Sequence, residues 1–364
     1  MAKETKISVV SIVVPSLAQK GPVVVARNLA IGLQERGVQV IFFYCKETSF
    51  QKIKLPDGIP ILKLQRQSLS ILLKSQIIHT HSFLPDIISS LLFVFYRKKI
   101  KFFTTIHNDL FEEIAHSELS IIKKLILKYI SPISWYLKHS CVALNENIQE
   151  KYAKALPFLK KKLHYCYNGI LIEEEVISTQ DIASLQAIRQ LKQNYRIIGS
   201  CAAIVKRKGL DVAIRSMLLL DPSFIFVIVG DGPHKPYLQE LTNELNLSER
   251  VYFFPYTSNP LSYMKLFDIF IMPSYSEGFG LTAVEAISQN CKLVLSNITV
   301  FKFIFGMYDT IKFTSLDPNH LAHAVVEASA IPVEGYQTEA KKILTQFSYQ
   351  EMTKNYLNLY INAN

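Results

Sequence analysis

Continuous apolar runs alternate with amphipathic segments along most of the chain. In the first half, residues 7–14, 38–44, 76–81 and 101–107 are apolar runs, and 23–36 has helical periodicity with Gly37 directly after it. Strands of a parallel sheet are covered on both faces and therefore appear as unbroken apolar runs, and a glycine often ends a helix. The pattern predicts a parallel β/α domain.

The same alternation restarts in the second half. Apolar runs at 196–203, 224–229, 251–254 and 269–272 are separated by helical segments, and the polar stretch 173–194 lies before them. We expect an α/β protein of two Rossmann-like domains, 1–172 and 195–347, with parallel sheets facing a central cleft and 173–194 as the linker. The last segment, 348–364, is predicted as a helix that crosses back to the first domain.

Length and composition are consistent with a cytoplasmic protein. A chain of 364 residues suggests two domains, and no apolar run approaches the ~18 residues that span a bilayer. The first residues fit a strand better than a signal peptide, because no small-residue cleavage site follows. The five scattered cysteines are expected to be free thiols in a reducing compartment.

The charge is unevenly distributed. Residues 1–172 carry 24 lysines and arginines against 11 acids, a net charge of +13, whereas residues 173–364 carry −3, which gives the total of +10. A basic half predicts a polyanionic partner for the first domain: nucleic acid, an anionic membrane surface or a phosphorylated acceptor.

Two carboxylates flank a glycine-rich turn in the second domain. Glu277 precedes Gly278-Phe279-Gly280, and Glu285 lies about one turn into the helix that follows. A strand, a glycine-rich turn and a helix start favour anion binding, so the two acids would face a phosphorylated, polyhydroxylated ligand. The spacing alone favours the ordinary interpretation, a loop acid followed by a helix-start acid that the helix dipole stabilises.

The whole string 277–286 resembles the E-x7-E signature of retaining glycosyltransferases with the GT-B fold, in the large family 4. The resemblance implies that Glu285 binds the nucleotide ribose and that Glu277 holds hydroxyls of the transferred sugar. The backbone around Phe279, Gly280 and Leu281 would assist.

Other family positions are matched less fully. Lys208-Gly209 fits the phosphate-binding lysine, but the usual arginine position falls at Ala203, and Arg207 is expected to supply that charge, as in lipopolysaccharide-core glucosyltransferases of the same family. The alternative is a solvated basic turn. Gly21, in the loop before the first helix, would let the backbone approach the diphosphate, and an ordinary βα turn is the alternative.

His107 ends a predicted strand, where site residues of parallel sheets gather. The family resemblance places it against the donor sugar, whereas a lone histidine would otherwise be interpreted as structural. His79 and His81 share one strand face, and we expect a structural role for them. Residues 230–233 resemble the turn near the nucleotide base. Because the chain has no Asp-x-Asp, a metal is not implied. No cofactor is expected besides the nucleotide-sugar donor, which we expect to be a UDP-sugar.

Two basic segments of the first half interleave lysines with apolar residues. Residues 120–139 contain Lys123, Lys124, Lys128 and Lys138 together with Trp135, and residues 152–163 contain the run 160–162 of three lysines. Such segments are typical of an interfacial helix on anionic lipid, and an ordinary surface helix is the alternative. Nucleic acid is not expected as a partner, since no recognition motif accompanies the charge.

We therefore expect a retaining, metal-independent hexosyltransferase. It would act on a cell-envelope glycan or lipid-linked acceptor in lipopolysaccharide, O-antigen or capsule biosynthesis, on the cytoplasmic face of the inner membrane. Two alternatives stay open. One is a nucleotide-sugar epimerase of the same architecture. The other is a non-catalytic paralogue that binds a sugar nucleotide, which is consistent with Ala203 at the position of the usual family arginine.

Overall fold

The computed structural model describes residues 7–49, 52–107, 110–111, 114, 120–173 and 177–362. The chain divides into two compact units, the first formed by Met1–Leu171 with Phe347–Asn364 and the second by Ile172–Gln346. The segment 1–6, interpreted above as leading into a strand, lies outside the described residues. The predicted linker 173–194 requires correction, because Thr179–Lys192 form a helix of the second unit.

The first unit is built on a seven-stranded parallel sheet in the order β3-β2-β1-β4-β5-β6-β7. Its central strands are covered on both faces, which explains their unbroken apolar sequences. The strands are β1 Val9–Val14, β2 Gln39–Tyr44, β3 Ile61–Lys63, β4 Ile77–His81, β5 Lys101–Ile106, β6 Ser140–Ala143 and β7 Leu163–Tyr165. The helices are α1 Gly21–Glu35, α2 Leu69–Leu72, α3 Phe83–Tyr96, α4 Ile121–Tyr136, α5 Glu146–Ala155 and α14 Tyr349–Asn362.

The last helix, α14, belongs to the first unit and packs against α1. Gly32 of α1 allows the close approach, since a Cβ atom there would overlap the side chain of Thr353. Gly37 ends α1 with a φ of 76°, as the sequence predicts, and its amide donates to the carbonyl of Gln34 at 2.9 Å. The final segment of the chain therefore completes the first unit.

The second unit has a six-stranded parallel sheet in the order β10-β9-β8-β11-β12-β13. A cluster of buried aliphatic and aromatic side chains from strands and helices forms its core. The strands are β8 Arg196–Cys201, β9 Phe224–Val229, β10 Val251–Phe254, β11 Ile269–Met272, β12 Lys292–Ser296 and β13 Lys312–Thr314. The helices are α6 Thr179–Lys192, α7 Leu210–Ser216, α8 Lys235–Glu244, α9 Pro260–Met264, α10 Leu281–Ser288, α11 Thr299–Phe305, α12 Pro318–Ser329 and α13 Val333–Gln346.

The strand order reverses at one place in each sheet. In the second unit β8 pairs with β9 on one side and with β11 on the other, and in the first unit β1 lies between β2 and β4. The loops that leave the two neighbouring strands diverge at such a switch point and open a crevice at the carboxyl ends of the strands. The loops after β8 and β11 are those that carry Lys208 and Glu277.

All five cysteines are free thiols, as the sequence predicts. Burial raises the pKa of the Cys141 thiol to about 12, as expected for an unreactive core thiol. Over the part of the chain that the structure describes, no helix combines the length and the apolarity that a membrane crossing requires.

The contact between α1 and α14 predicts opposite outcomes for the same substitution at two helical glycines. Gly32→Ala would force the new methyl group against Thr353 and destabilise the protein by about 1–3 kcal/mol, although alanine is the better helix former. Gly335→Ala, on the exposed start of α13 where the methyl group meets nothing, should stabilise by up to about 1 kcal/mol. Urea unfolding followed by circular dichroism measures both, and equal effects would contradict the tight packing at Gly32.

Candidate active site

The glycine-rich turn between β11 and α10 has the conformation that its sequence predicts. Gly280 is the N-cap of α10 and has a φ of 91°. A Cβ atom at this position would also meet the ring of Phe301, so both the backbone angle and the space favour glycine. Phe279 is buried beside it, with 3% of its surface exposed. The turn therefore brings the chain sharply from the end of β11 into the first turn of the helix.

The loop after β8 lies directly against this turn. Its residues Lys206–Lys208 form a short 3-10 helix that ends at Gly209, where φ is 61° and a Cβ atom would overlap the carbonyl oxygen of Pro273. The amide of Tyr275 donates to the carbonyl of Arg207 at 2.8 Å. The basic loop and the acidic loop are thus joined through their backbones.

Glu277 lies at the centre of a compact polar cluster. Its Oε1 accepts hydrogen bonds from Lys208 Nζ at 2.5 Å and from Ser274 Oγ at 2.9 Å, while Arg207 Nη1 lies 3.8 Å from Oε2. The side chains of Glu277 and Lys208 are 9% and 13% exposed, whereas that of Arg207 is 45% exposed. Lys208 therefore makes the close ion pair, and Arg207 borders it from the solvent side.

The cluster keeps Glu277 ionised. Burial tends to raise the pKa of this carboxyl, but the charges of Lys208 and Arg207, with the hydrogen bonds from Lys208 and Ser274, hold the pKa below its ordinary value. The site thus offers a buried carboxylate as a hydrogen-bond acceptor and an ammonium group beside it. This combination suits a ligand that carries both hydroxyl and phosphate groups.

Glu285 is half-buried on α10, and its carbonyl oxygen accepts a hydrogen bond from Ser288 Oγ at 2.6 Å. Burial raises the pKa of Cys201 at the end of β8, and the nearby Cys291 and Glu285 raise it further. Ala203 follows that strand in an exposed position, and Leu281 begins α10.

The turn 230–233 follows β9 and reaches the same end of the sheet. Ile204 donates its amide hydrogen to the carbonyl of Asp231 at 2.9 Å, and a Cβ atom on Gly230 would overlap the carbonyl oxygen of Ala202. Three loops, after β8, β9 and β11, therefore gather at the switch point of the second unit.

In the first unit, His107 follows β5 and is buried, and its Nε2 lies 2.7 Å from His81 Nδ1. The His79 and His81 rings stack with centroids 4.5 Å apart. His79 contacts the hydroxyls of Tyr360 and Thr105 at 2.5 and 2.8 Å, which supports the structural role expected for it. Among the described residues, no group of three or more His, Cys, Asp or Glu could hold a metal ion.

A cavity of about 220 Å³ lies beside His107 at the carboxyl ends of β4 and β5. Pro22, directly after Gly21 at the start of α1, lies in its wall. The wall combines polar groups with an aromatic ring, which is suited to a sugar. Its lining includes Pro22, Ser82, Asp86, Thr105, His107 and Trp135.

Three residues of this wall, Ser82, Asp86 and Trp135, are not predicted as site residues from the sequence. Asp86 Oδ1 accepts hydrogen bonds from Thr80 and Thr104 at 2.5 and 2.6 Å, and burial raises the pKa of Asp86 although the charge of Lys138 lowers it. Ser82 has a φ of 77°, an angle that costs a non-glycine residue about 1–3 kcal/mol. No sequence motif marks Asp86 or Ser82, and the sequence places Trp135 on a basic segment that is interpreted as an interfacial or a surface helix.

Two doubly wound domains with loops gathered at the switch point define the GT-B class, and comparisons with known proteins agree. The crystal structure of HepE from Anabaena in complex with UDP-glucose superposes with a TM-score of 0.78 at 15% identity, over 96% of this chain and 98% of that one. The structure of WaaG, a glycosyltransferase involved in lipopolysaccharide biosynthesis, gives a TM-score of 0.72 at 12% identity, over 98% and 100% of the two chains. At these identities the two structures establish the fold.

Sequence comparison establishes the family. The family description "Glycosyltransferase Family 4" matches residues 20–174, and "Glycosyl transferases group 1" matches residues 181–341. The O-antigen biosynthesis glycosyltransferase WclY of Escherichia coli is 30% identical over 97% of this chain and 98% of its own length. The chain belongs to the group 1 family of glycosyltransferases, as its E-x7-E string predicts.

The buried histidines predict a pH-dependent stability of the first unit. Burial lowers the pKa of His79 and of His107 to about 3, so below about pH 6.5 the unfolded chain binds protons that the folded chain does not. The free energy of unfolding should therefore fall with decreasing pH, by about 1.4 kcal/mol per pH unit for each such histidine. Urea unfolding followed by the fluorescence of the single tryptophan, Trp135, measures it between pH 7.5 and 5.

The variant His79→Asn should show a pH slope shallower by about one proton, whatever its stability at pH 7.5. The exposed His323→Asn, on α12 of the second unit, is the matched control and should keep the wild-type slope. An unchanged slope in the His79 variant would contradict the assignment.

Proposed function

We propose that the protein is a retaining glycosyltransferase that moves a hexose from a UDP-sugar to a cell-envelope glycan or lipid-linked acceptor, in O-antigen or lipopolysaccharide biosynthesis. The role of WclY in O-antigen biosynthesis and the UDP-glucose bound to HepE support the acceptor class and the donor. The observation that carries the proposal is the buried pair of Lys208 and Glu277 at the switch point of the second sheet.

Lys208 and Glu277 would bind different parts of the donor. As the bond to the sugar breaks, negative charge builds on the departing diphosphate, and Lys208 with Arg207 would stabilise it. Glu277, held as a carboxylate, would accept hydrogen bonds from hydroxyls of the transferred sugar, with the backbone of Phe279, Gly280 and Leu281 assisting. Glu285 would accept from the ribose hydroxyls. Because Lys208 and Arg207 supply the positive charge, the reaction would need no metal ion.

Retention of configuration would follow from the direction of departure. If the diphosphate leaves on the face that the acceptor hydroxyl attacks, the new bond forms on the same face without a protein nucleophile. The leaving diphosphate oxygen would then take the proton of the hydroxyl. Glu277 is engaged by Lys208 and Ser274, which favours a binding role over a nucleophilic one for this carboxylate.

In the first unit, the cavity beside His107 would hold a sugar. Trp135 presents an aromatic surface and Ser82 a hydroxyl in the same wall. Sugar rings bind where apolar faces and hydrogen-bonding groups alternate in this way. His107 would contact a sugar hydroxyl, and the backbone at Gly21, before Pro22, would approach the diphosphate.

Helix α4 supports the membrane part of the proposal. Ile122, Leu125, Tyr129, Ile133 and Tyr136 fall within one stripe at 3.6 residues per turn and are exposed, Ile122 to 71%. The opposite side of the helix carries the buried Ser131, Ser134 and Trp135. An apolar stripe that points away from its own protein indicates an interaction surface.

Lysines border the apolar stripe on both sides. At 100° per residue, Lys123 and Lys128 project to opposite sides of it, and both are exposed. Lysine stems extend along an apolar surface while their ammonium groups reach anionic headgroups. We therefore propose that α4 lies in the interface of an anionic membrane, at the cytoplasmic face.

The structure changes the role expected for one lysine of the run 160–162. Lys162 Nζ donates to the carbonyls of Tyr136 and Lys138 at 2.7 and 2.9 Å, and lies 4.6 Å from the centroid of the Tyr136 ring. It therefore caps the carboxyl end of α4, so the expectation that it contacts lipid is not supported. Lys160 and Lys161 are exposed.

The donor assignment predicts a specific thermal shift. UDP-sugars should raise the melting temperature more than GDP-, ADP- or CMP-sugars, because a ligand stabilises the state that binds it. Glu285→Ala should abolish this shift. Glu277→Gln and Lys208→Met should lower kcat by about 100-fold or more, since each removes a contact to the reacting groups. Product analysis by NMR should show the anomeric configuration of the donor retained.

Lys206→Met is the matched control, because it removes an exposed lysine two positions away and should keep near-normal activity. Epimerised nucleotide sugar in incubations without acceptor would instead identify an epimerase. Absence of both transfer and donor hydrolysis with every nucleotide sugar would favour a non-catalytic binding protein. Equal effects of Glu277 and Glu285 variants on donor binding would contradict their separate roles.

The membrane assignment predicts binding to vesicles that contain anionic phospholipid and little binding to zwitterionic vesicles. Reversing two charges, Lys123→Glu with Lys128→Glu, should weaken binding by about tenfold or more, since each lysine near such a surface contributes about 1 kcal/mol. Raising the salt concentration from 0.1 to 0.5 M should also weaken vesicle binding by the wild type. Vesicle sedimentation measures both.

Lys341→Glu with Lys342→Glu, two exposed lysines of α13, is the matched charge reversal and should bind like the wild type. Ile122→Ser with Tyr129→Ser should weaken binding at both salt concentrations, because it removes the apolar contribution. Binding that ignores salt and the α4 substitutions would exclude this helix as the membrane contact.

A further inference from the structure

The hydrogen bond between His81 and His107 joins two buried imidazole rings, and among the described residues no ion pair links either ring to a charged side chain. His81 Nδ1 and His107 Nε2 are 2.7 Å apart, and His81 has no measurable exposure. Each neutral imidazole has one N–H donor and one acceptor nitrogen, so the bond fixes a definite pair of tautomers. Two arrangements are possible, and they present opposite groups to the cavity beside His107.

The environment of His81 decides between these arrangements. Within the described part of the chain, His81 Nε2 is buried and has no hydrogen-bond partner. If His81 accepted from His107, its Nε2 would carry a buried N–H without an acceptor, which folded proteins avoid more strictly than an unused lone pair. The favoured arrangement has His81 Nδ1–H as the donor and His107 Nε2 as the acceptor.

The other nitrogen of His107 then carries the hydrogen. No hydrogen bond joins Nδ1 of His107 to any described residue, and His107 lines the cavity. Burial also lowers the pKa of His107 to about 3, which agrees with a neutral ring. The cavity therefore meets an N–H group of His107 and not a basic nitrogen.

Contacts from distant parts of the chain hold His81 in place. Its ring stacks on that of His79, which is fixed by Tyr360 of α14 on one side and by Thr105 of β5 on the other. The next residue, Ser82, has the unfavourable φ of 77°. Strained backbone of this kind persists only where the surrounding structure determines it.

We infer that His81 is a positioning residue that holds His107 in the Nδ1–H tautomer, so that the cavity offers a hydrogen-bond donor to an oxygen of a bound sugar. The identity of the ligand as a sugar rests on the proposed function, whereas the tautomer does not. His107 would orient the sugar through an N–H to oxygen hydrogen bond and would not remove a proton from the acceptor hydroxyl.

Long-range proton–nitrogen NMR spectra of the full-length protein with ring-labelled histidine test the tautomer directly. His107→Gln identifies the signals of His107 by their loss. We expect His107 to show a protonated Nδ1 and an unprotonated Nε2 between pH 6 and 8. A protonated Nε2 would overturn the inference, and because this measurement uses the wild type, it does not depend on the folding of any variant at His81.

Kinetics of two His81 variants test the positioning role. His81→Leu removes the donor, and kcat should fall by about tenfold to a hundredfold with the KM for the donor sugar nucleotide within about twofold. His81→Asn places an amide N–H near the position of Nδ1 and should recover most of kcat and the Nδ1–H signal of His107. His164→Leu, a partly buried histidine on β7, is the matched control and should leave both readouts unchanged.

The two hypotheses fail in different ways. A wild type without transferase activity but with an Nδ1–H His107 would remove the proposed function and leave the tautomer assignment standing. An active enzyme in which Nε2 of His107 carries the proton would overturn only the role of His81. The same holds for a His81→Asn variant that is as impaired as His81→Leu although its His107 signal is unchanged from the wild type.

Discussion

The donor-side chemistry depends on the pairing of one buried carboxylate. Glu277 is 9% exposed, and an ionised carboxylate can be buried only where opposite charge and hydrogen bonds replace water. Lys208 meets this requirement, although it lies 69 residues away in the sequence. The pair forms because β8 and β11 are neighbours in the sheet and their loops are joined by a backbone hydrogen bond. Sheet order is thus what creates the site.

The buried histidines of the first unit are neutral, because burial lowers the pKa of each ring. Among the described residues, the three histidines of β4 and the end of β5 contact hydroxyl groups and one another. Lys138, expected from the sequence among the lysines of an interfacial helix, is instead fully buried, and burial lowers its pKa to about 8. Its ammonium group donates to the carbonyls of Asp86 and Ser134 and to Ser90 Oγ, which joins α3 to the end of α4. Neutral imidazole groups in a cavity wall are suited to hydrogen bonds with an uncharged sugar. The charged groups that a diphosphate requires lie in the second unit.

Helix α4 combines two opposite surfaces. Trp135 and Ser131 line the cavity beside His107, while an apolar stripe with flanking lysines faces outward. A single helix could therefore lie against a membrane and border a sugar site at the same time, which fits an acceptor whose glycan is attached to a lipid. Lys162 and Lys138 at its carboxyl end hold this helix to the rest of the unit.

The sequence by itself determined the two parallel sheets, the helix end at Gly37, the family and the string from Glu277 to Glu285, because these depend on local periodicity and on short motifs. The tertiary structure decided which partners meet. That Lys208 and not Arg207 makes the close ion pair, that His81 engages His107, that Lys162 caps α4 and that 179–192 is a helix of the second unit could not be predicted. Such contacts join residues far apart in the sequence, and only the strand order and the packing of the loops bring them together.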